Sequence, residues 1–409
     1  MLADLRVELD TQDSTAMWCP LACLQPNAEA LLLMTGDLTP PLDPVPRTVR
    51  AGLEWKAFKS PALISNAGGS CNVYKATLDG ERVAVKVVRE VGNADAIRDL
   101  QAEAKLLTEL GRRPHRHIIT LIGEGCKEDG QPFIVLELLA TTLAAQLPKP
   151  LIRMLGEPNE PDEVGVCEWW SAVRLWPMSR ALIVGLHLAQ ALKHLHEGEP
   201  LPGQRVLHRD LKPDNVGFLA DGSNTLVLLD FGLATRWSTG IESSGGGEGD
   251  EPLPVSRDEP RKLTGQTGST RYMSPEVALS QPYNGKAEVF SFATILWQMA
   301  SHERPFRGFN VAEFEARVAR GGERPSLPQH WPEGLRELLR DCWQAEPHRR
   351  PGFGAVVRRL EALLRQEAGE LVGRGQQASR AEHVTSGLAG APVTGVMSDD
   401  AREICMDRV

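Results

Sequence analysis

The chain has 409 residues, of which 42% are hydrophobic and 24% are charged, as expected of a globular protein that can bury sizeable cores. Its length predicts two or three packed units. These values exclude a collagen-like, mainly disordered or disulfide-stapled chain. The formal net charge of −9, from 45 basic and 54 acidic residues, argues against general binding to nucleic acid or to an anionic membrane.

Cysteine spacing and hydropathy predict the compartment. Of the seven cysteines, only Cys19 and Cys23 lie close together, and no second pair or histidine lies at zinc spacing. The first residues are acidic where a signal peptide needs a basic stretch followed by an apolar one. No run approaches the roughly 18 apolar residues of a membrane span. We therefore expect reduced thiols in a soluble protein of the cytoplasm or nucleus, with no membrane partner.

The first part of the chain is predicted to form an irregular extension and then a small lobe. Prolines interrupt residues 1–56, which should lack regular structure. Asp79-Gly80 predicts a hairpin turn before the strand-like residues 81–88, and residues 133–136 predict a short buried strand. Apolar residues at helical spacing predict one helix, namely Ile97, Leu100, Ala104, Leu107 and Leu110.

The second part of the chain is predicted to be mainly helical. A first helix is indicated by the stripe Leu182, Leu186, Ala189, Leu192 and Leu195. Residues 287–300 are apolar nearly all round, as in a helix at the centre of a core, and Val357, Leu360 and Leu364 mark a last helix. Proline- or glycine-rich acidic loop insertions are expected at about 150–170 and 239–260, and a disordered tail at 367–409.

An ordered set of motifs carries the functional signal. Residues 208–215 read His-Arg-Asp-Leu-Lys-Pro-Asp-Asn, and residues 230–232 read Asp-Phe-Gly. Between about residues 60 and 365 the chain thereby resembles a eukaryotic protein kinase. Further landmarks follow in the family's order, namely Val83-Ala-Val-Lys86, Glu103, Ser274-Pro-Glu276, Cys342-Trp343 and Arg350-Pro351. Each motif alone is weak, but the ordered set is specific.

The resemblance implies an α+β, two-lobed protein-kinase-like fold over residues 57–366. A small N-lobe with an antiparallel sheet and a helix would cover about 57–138, and a larger, mainly helical C-lobe about 139–366. Side chains alternate along a strand, so Ala84 and Lys86 are expected to share one face of it. Glu103 lies beside the buried stripe of its helix, where it needs a cation, and Lys86 is the expected partner.

The resemblance also assigns roles to the residues that match the motifs. Asp210 would accept or orient the proton of the attacking hydroxyl, and Lys212 would steady the γ-phosphate. Asn215 and Asp230 would hold Mg²⁺, which prefers oxygen ligands. Leu136 would be the gatekeeper beside the hinge. The expected ATP-binding residues are Ile64, Gly68, Val73, Ala84, Lys86, Glu103, Glu137 and Leu139.

Further features place the chain within the family. Lys212-Pro213 resembles the serine/threonine branch, as does the hydroxyl of Ser269 before Ser274-Pro-Glu276. Residues 324–332 together with Cys342-Trp343 resemble the tyrosine-kinase-like group of serine/threonine kinases. The predicted function is ATP- and Mg²⁺-dependent phosphorylation of Ser/Thr hydroxyls on protein substrates. An upstream kinase is expected to phosphorylate Thr264, Thr267 or both, since Arg209 needs an anion.

Four positions depart from the family pattern and leave an alternative open. In the phosphate-covering loop, Asn66 and Cys71 stand where glycines are expected. Gly217 replaces the apolar side chain expected beneath adenine, and Glu288 replaces an Asp that secures the catalytic loop. None of these changes removes a catalytic group. They nevertheless favour the alternative of a pseudokinase, a nucleotide-binding or scaffolding module without turnover.

Overall fold

The computed structural model describes residues 44–65, 70–149, 172–197, 200–201, 203–238, 259–266 and 268–369. Most of the two predicted insertions, of the N-terminal extension and of the tail lies outside these ranges. In the part of the chain that is described, no helix is both long enough and apolar enough to cross a membrane.

The N-lobe is a six-stranded sheet with one long helix, counted over the described residues. In the order of the sheet its strands are β1 (Arg50–Glu54), β5 (Leu121–Cys126), β6 (Pro132–Glu137), β4 (Glu81–Val88), β3 (Cys71–Leu78) and β2 (Lys59–Ser65). The β3–β4 hairpin turns at Asp79 and Gly80, which both have positive φ angles, as its sequence predicts. Helix α1 (Ala94–Leu110) begins where the Asn93 side chain accepts a hydrogen bond from the Ala96 amide.

Strand β1 corrects the prediction that residues 1–56 are irregular. It pairs in parallel with β5, whereas the other strand pairs of this sheet are antiparallel. Glycines on β5 make the pairing possible: a Cβ on Gly125 would lie 1.9 Å from the Leu53 carbonyl oxygen, and one on Gly123 2.8 Å from the Arg50 carbonyl oxygen. Residues 50–54 therefore belong to the lobe.

The C-lobe begins with β7 (Leu139–Thr142) and α2 (Leu143–Gln146). The long helix α3 (Met178–Glu197) leads to β8 (Gln204–Leu207), β9 (Val216–Leu219), β10 (Leu226–Leu228) and β11 (Thr235–Ser238). These strands form two small antiparallel sheets, β10-β9-β7 and β11-β8. The two sheets carry the loops that hold the functional motifs.

The remaining C-lobe elements are α4 (Pro275–Ala278), α5 (Lys286–Ser301), α6 (Val311–Glu313, continued by a π-helix Phe314–Arg320), α7 (Glu333–Cys342) and α8 (353–369). The apolar surroundings predicted for residues 287–300 are confirmed, because α5 is buried along nearly its whole length. Helix α8 runs three residues into the predicted tail, which is therefore wrong at 367–369.

The two lobes meet beside the strand that leads to the Asp-Phe-Gly motif. The Leu228 amide donates to the His117 carbonyl at 2.9 Å, and the Ile119 amide donates to the Leu228 carbonyl at 3.0 Å. The end of the α1–β5 loop is thus hydrogen-bonded to β10 of the C-lobe. The predicted two-lobed protein-kinase fold is confirmed.

Candidate active site

Lys86 connects the sheet, helix α1 and the Asp-Phe-Gly motif. Its Nζ donates to Glu103 Oε2 at 2.8 Å and to Asp230 Oδ1 at 3.0 Å. Glu103 is 2% exposed, and its second oxygen accepts a hydrogen bond from the Phe231 amide at 3.2 Å. The inward-facing glutamate inferred from the helix pattern therefore has the expected partner. These bonds hold α1 and Asp230 together around one ammonium group.

Both charges of this cluster are favoured by their neighbours. Burial by itself would lower the pKa of Lys86, but the carboxylates of Glu103 and Asp230 outweigh it and raise the pKa above its usual value. Burial would raise the pKa of Asp230, but the Lys86 ammonium outweighs it and holds the pKa below its usual range. Asp230 has a left-handed backbone, with φ 63° and ψ 75°. Because its pKa is lowered, Asp230 is an ionised carboxylate that can bind a cation.

Asp210 is the centre of the catalytic loop and is 7% exposed. Its Oδ2 accepts hydrogen bonds from Lys212 Nζ at 2.7 Å and from Asn215 Nδ2 at 3.0 Å. Its Oδ1 accepts from the Ser269 amide at 3.0 Å and from the Ser269 hydroxyl at 3.3 Å. The structure thus brings together the three predicted catalytic residues and adds Ser269 of the activation segment.

Gly268 is required for this contact. It has a φ of +93°, and a Cβ there would lie 2.5 Å from the Arg209 carbonyl oxygen and 3.0 Å from Asp210 Oδ1. A side chain would push the activation segment away from the catalytic aspartate.

Glu288 anchors the catalytic loop in spite of its extra methylene group. Its Oε1 accepts from the Arg209 amide at 2.6 Å, and its Oε2 accepts from His196 Nε2 at 2.6 Å. Burial would raise the pKa of Glu288, but the hydrogen bond and charge of His196 hold it below the usual range. The bonded amide belongs to a residue with φ +65°, so the carboxylate steadies a strained backbone. His196 is not among the residues predicted from sequence. It lies 92 positions from Glu288 in the chain, so no local pattern connects the two residues.

Three of the predicted adenine-side residues lie on strands of the N-lobe sheet near Lys86. Ala84 on β4 is buried and lies opposite the gatekeeper Leu136 on β6. Val73 on β3 is the register partner of Lys86, and Ile64 on β2 is half exposed. Gly68 lies outside the described residues, as does Asn66.

The two remaining predicted residues flank the hinge, Glu137 as the last residue of β6 and Leu139 as the first of β7. The Glu137 carboxylate accepts from the Thr120 amide at 2.9 Å, and burial raises the pKa of this group. Leu139 is partly buried and begins β7, which pairs with β9. The Glu137 side chain therefore stabilises the hinge from the N-lobe side.

The activation segment brings one predicted phosphorylation site to the catalytic loop. Arg209 Nη1 donates to the Thr264 hydroxyl at 2.9 Å, and Arg209 Nε donates to the Leu233 carbonyl at 2.6 Å. Thr267 lies outside the described residues. A phosphate on Thr264 would therefore form beside a guanidinium group.

Two stacked histidine pairs lie where the lobes meet, outside the sequence motifs of the site. The rings of His117 and His187 lie 4.4 Å apart at 18°, and those of His115 and His194 lie 4.9 Å apart at 24°. His117 Nδ1 donates to the Leu226 carbonyl at 2.8 Å. The spacing of seven between His187 and His194 places both on one face of α3, and this is the sequence signal that could have found them.

The His117–His187 stack predicts acid sensitivity. Burial lowers the pKa of His117 to about 2 and that of His187 to about 4, both from 6.5, and the neighbouring Arg116 adds to this. The folded protein keeps both rings neutral, whereas the unfolded chain protonates them below about pH 6.5. The free energy of unfolding is therefore expected to fall as the pH drops from 6.5 towards 4, by up to about 1.4 kcal/mol per pH unit for each ring.

Urea unfolding between pH 7.5 and 4.5 measures this dependence. The matched variant His187→Phe keeps an aromatic ring in the stack but cannot titrate, so its stability should fall less steeply over this range. Equal slopes for the two proteins would contradict the assignment to this stack.

Comparison with known proteins agrees with the geometry. Three similar curated proteins are "Probable serine/threonine-protein kinase drkC" of Dictyostelium discoideum (28% identity over 72% of this chain and 33% of the relative), dual specificity protein kinase shkB of the same organism (29%, 74% and 39%) and mitogen-activated protein kinase kinase kinase 11 of Rattus norvegicus (29%, 74% and 31%). The chain thus spans about a third of the length of these relatives. The family model described as "Protein tyrosine and serine/threonine kinase" matches residues 66–360. This match covers more than half of the chain, and the protein belongs to the protein tyrosine and serine/threonine kinase family.

Proposed function

We propose that this protein transfers the γ-phosphoryl group of Mg²⁺-bound ATP to Ser or Thr hydroxyls of protein substrates. One observation carries the proposal: Lys86 is bonded at once to Glu103 and to Asp230. Kinase catalysis requires the ion pair between this lysine and the helix glutamate, together with an aspartate placed to bind Mg²⁺. The retained ion pairs argue against the pseudokinase alternative.

The donor set suits ATP and Mg²⁺. Lys86 offers an ammonium group to phosphate oxygens, and Asp230 offers carboxylate oxygens to a cation. Asn215 uses its amide nitrogen on Asp210, so its amide oxygen is the atom available to metal. Within the described residues, no three or more His, Cys, Asp or Glu side chains form a metal-binding group. Mg²⁺ commonly takes one or two protein ligands and completes its shell with phosphates and waters, so Asp230 and Asn215 would be enough to hold it.

The remaining chemistry is positioning and proton transfer. Asp210 accepts or orients the proton of the substrate hydroxyl, and Ser269 and Asn215 hold its carboxylate in place. Lys212, already bonded to Asp210, neutralises charge on the phosphate that moves. When bound, Mg²⁺ neutralises the developing charge on the β- and γ-phosphates.

Phosphorylation of Ser and Thr, rather than Tyr, is supported by Lys212-Pro213 and by the Ser269 contact to Asp210. Incubation with labelled ATP and peptide libraries that contain Ser, Thr or Tyr as the only acceptor tests this. Label on Ser and Thr peptides is expected. Label on Tyr peptides as well would give dual specificity, which the name of the shkB relative states for that protein. No transfer to any peptide, and no autophosphorylation, would contradict the enzyme proposal.

Activation is proposed to depend on an upstream kinase that phosphorylates Thr264, Thr267 or both. A phosphate on Thr264 would make charge-assisted bonds to Arg209, which already contacts the hydroxyl. The kinase activity of the double variant Thr264→Ala/Thr267→Ala after stimulation is therefore expected to be lower than that of wild type by a factor of roughly ten or more.

Phosphopeptide mass spectrometry together with a peptide-kinase assay under activating conditions measures this effect. Thr225→Ala, in the turn between β9 and β10, serves as a control that should behave as wild type. Full stimulated activity in the double variant would contradict this mode of activation. We further propose that its protein substrates lie in the cytoplasm or nucleus.

A further inference from the structure

Gly217 lies on β9, between two core residues and two positions after Asn215. Its neighbours Val216 and Phe218 are 0% and 2% exposed and belong to the hydrophobic core. Because side chains alternate along a strand, a side chain at position 217 would point to the opposite face, towards the cleft. The strand follows directly after Asn215, so this position lies beneath the proposed nucleotide site.

Space, rather than backbone conformation, explains the glycine. Gly217 is not among the glycines with positive φ, so any L-residue could adopt its backbone. A Cβ there, however, would lie 2.6 Å from one methyl carbon of Leu139, 2.9 Å from the other and 3.2 Å from Cγ. The branched end of Leu139 therefore occupies the volume that a side chain at position 217 would fill.

The strand pairing explains how a hinge residue reaches this place. In the β7–β9 register, Thr142 lies opposite Gly217 and Leu139 opposite Leu219, with an irregularity between Leu139 and Thr141. The side chain of Leu139 leans two residues along β9, over the bare glycine. Its isopropyl group therefore belongs to the C-lobe side of the proposed nucleotide site, whereas Ala84 on β4 belongs to the N-lobe side.

We propose that Leu139 provides the apolar floor beneath the purine ring of the bound nucleotide, and that Gly217 is required to make room for it. The family pattern places an apolar side chain beneath adenine at position 217, and this chain has only a glycine there. In our proposal the apolar surface is present, but a hinge residue provides it. Leu139 thereby becomes a specificity-determining residue in addition to any backbone contact. The inference rests on the proposed ATP binding, and it assigns a role that the hinge position alone does not.

The inference predicts that two deleterious substitutions compensate each other. Gly217→Leu should displace the Leu139 side chain from the hinge, and Leu139→Ala should remove the floor, so each should weaken Mg·ATP binding roughly tenfold. The double variant Leu139→Ala/Gly217→Leu moves the apolar group back to β9, and its dissociation constant should return to within about threefold of wild type. Gly217→Ala, which adds one carbon, should have a smaller effect of the same sign.

Isothermal titration calorimetry of the full chain with Mg·ATP measures these constants, and thermal unfolding without nucleotide reports folding. Gly217→Ala keeps the test valid if the larger side chain prevents folding. The inference would be overturned if Gly217→Leu or Gly217→Ala bound Mg·ATP as tightly as wild type or more tightly. It would also be overturned if the double variant bound Mg·ATP more weakly than either single variant. Neither result would affect the proposed function. Absence of Mg·ATP binding by the folded wild type would instead overturn the proposed function and this inference together.

Discussion

Replacement of Asp210 by asparagine is expected to lower kcat by roughly 10²–10⁴-fold, the usual contribution of general acid–base assistance. The carboxylate accepts hydrogen bonds from Lys212, Asn215 and Ser269. Asparagine has nearly the same shape but cannot take the proton of the substrate hydroxyl. Folding and Mg·ATP affinity should therefore change little, because Lys86 and Asp230 are untouched.

Asp230→Asn is the comparison that separates catalysis from metal binding. It removes a charge that the structure holds beside Lys86, so it should weaken Mg²⁺-dependent nucleotide binding as well as turnover. Steady-state kinetics and Mg·ATP titration of wild type and both variants, side by side, distinguish the two effects. If activation-loop-phosphorylated wild type transferred no more phosphate than Asp210→Asn, the protein would be a binding module and not an enzyme.

Replacement of Arg350 by leucine is expected to lower the free energy of unfolding by about 3–5 kcal/mol, because it leaves a buried carboxylate without its cation. The Arg350 side chain is 0% exposed, and its two terminal nitrogens contact the two oxygens of Glu276 at 2.6 and 2.9 Å. It also donates to the carbonyl groups of Gln344, Lys286 and Ala345, which would lose these bonds. Urea unfolding of both proteins measures the difference.

The double variant Arg350→Leu/Glu276→Leu tests the stated cause. It removes both charges, so it should be more stable than Arg350→Leu alone although less stable than wild type. A double variant that is less stable than the single one would show that packing or the carbonyl contacts, and not the unpaired charge, dominate the loss.

Local patterns in the sequence were enough to predict several elements with their faces. Residues 81–88 are strand-like and follow a turn whose residues have positive φ angles, and the structure has β4 over that range. The apolar spacing from Ile97 to Leu110 matches the buried face of α1. Such elements are predictable because their hydrogen bonds and side-chain periodicity involve residues close in sequence.

The composition of the candidate site was also readable from sequence, since most of its chemistry lies in short segments. Asp210, Lys212 and Asn215 occur within six residues, and one loop conformation brings them into contact. The pairing of Lys86 with Glu103 followed from a strand pattern and a helix pattern together. The sequence could not predict whether Glu288 and Gly217 weaken the site, because their effects depend on contacts with residues distant in the chain.

Sequence alone thus determined the fold class, the identity of the candidate catalytic residues and the approximate positions of the elements with strong periodicity. Only the tertiary structure decided that His196 completes the anchor at Glu288, that Leu139 fills the space above Gly217, and that β1 joins the sheet along Gly123 and Gly125. Each of these contacts joins residues about 70 to 90 positions apart in the chain. Chain order cannot reveal such neighbours, because they meet only when the strands and helices pack.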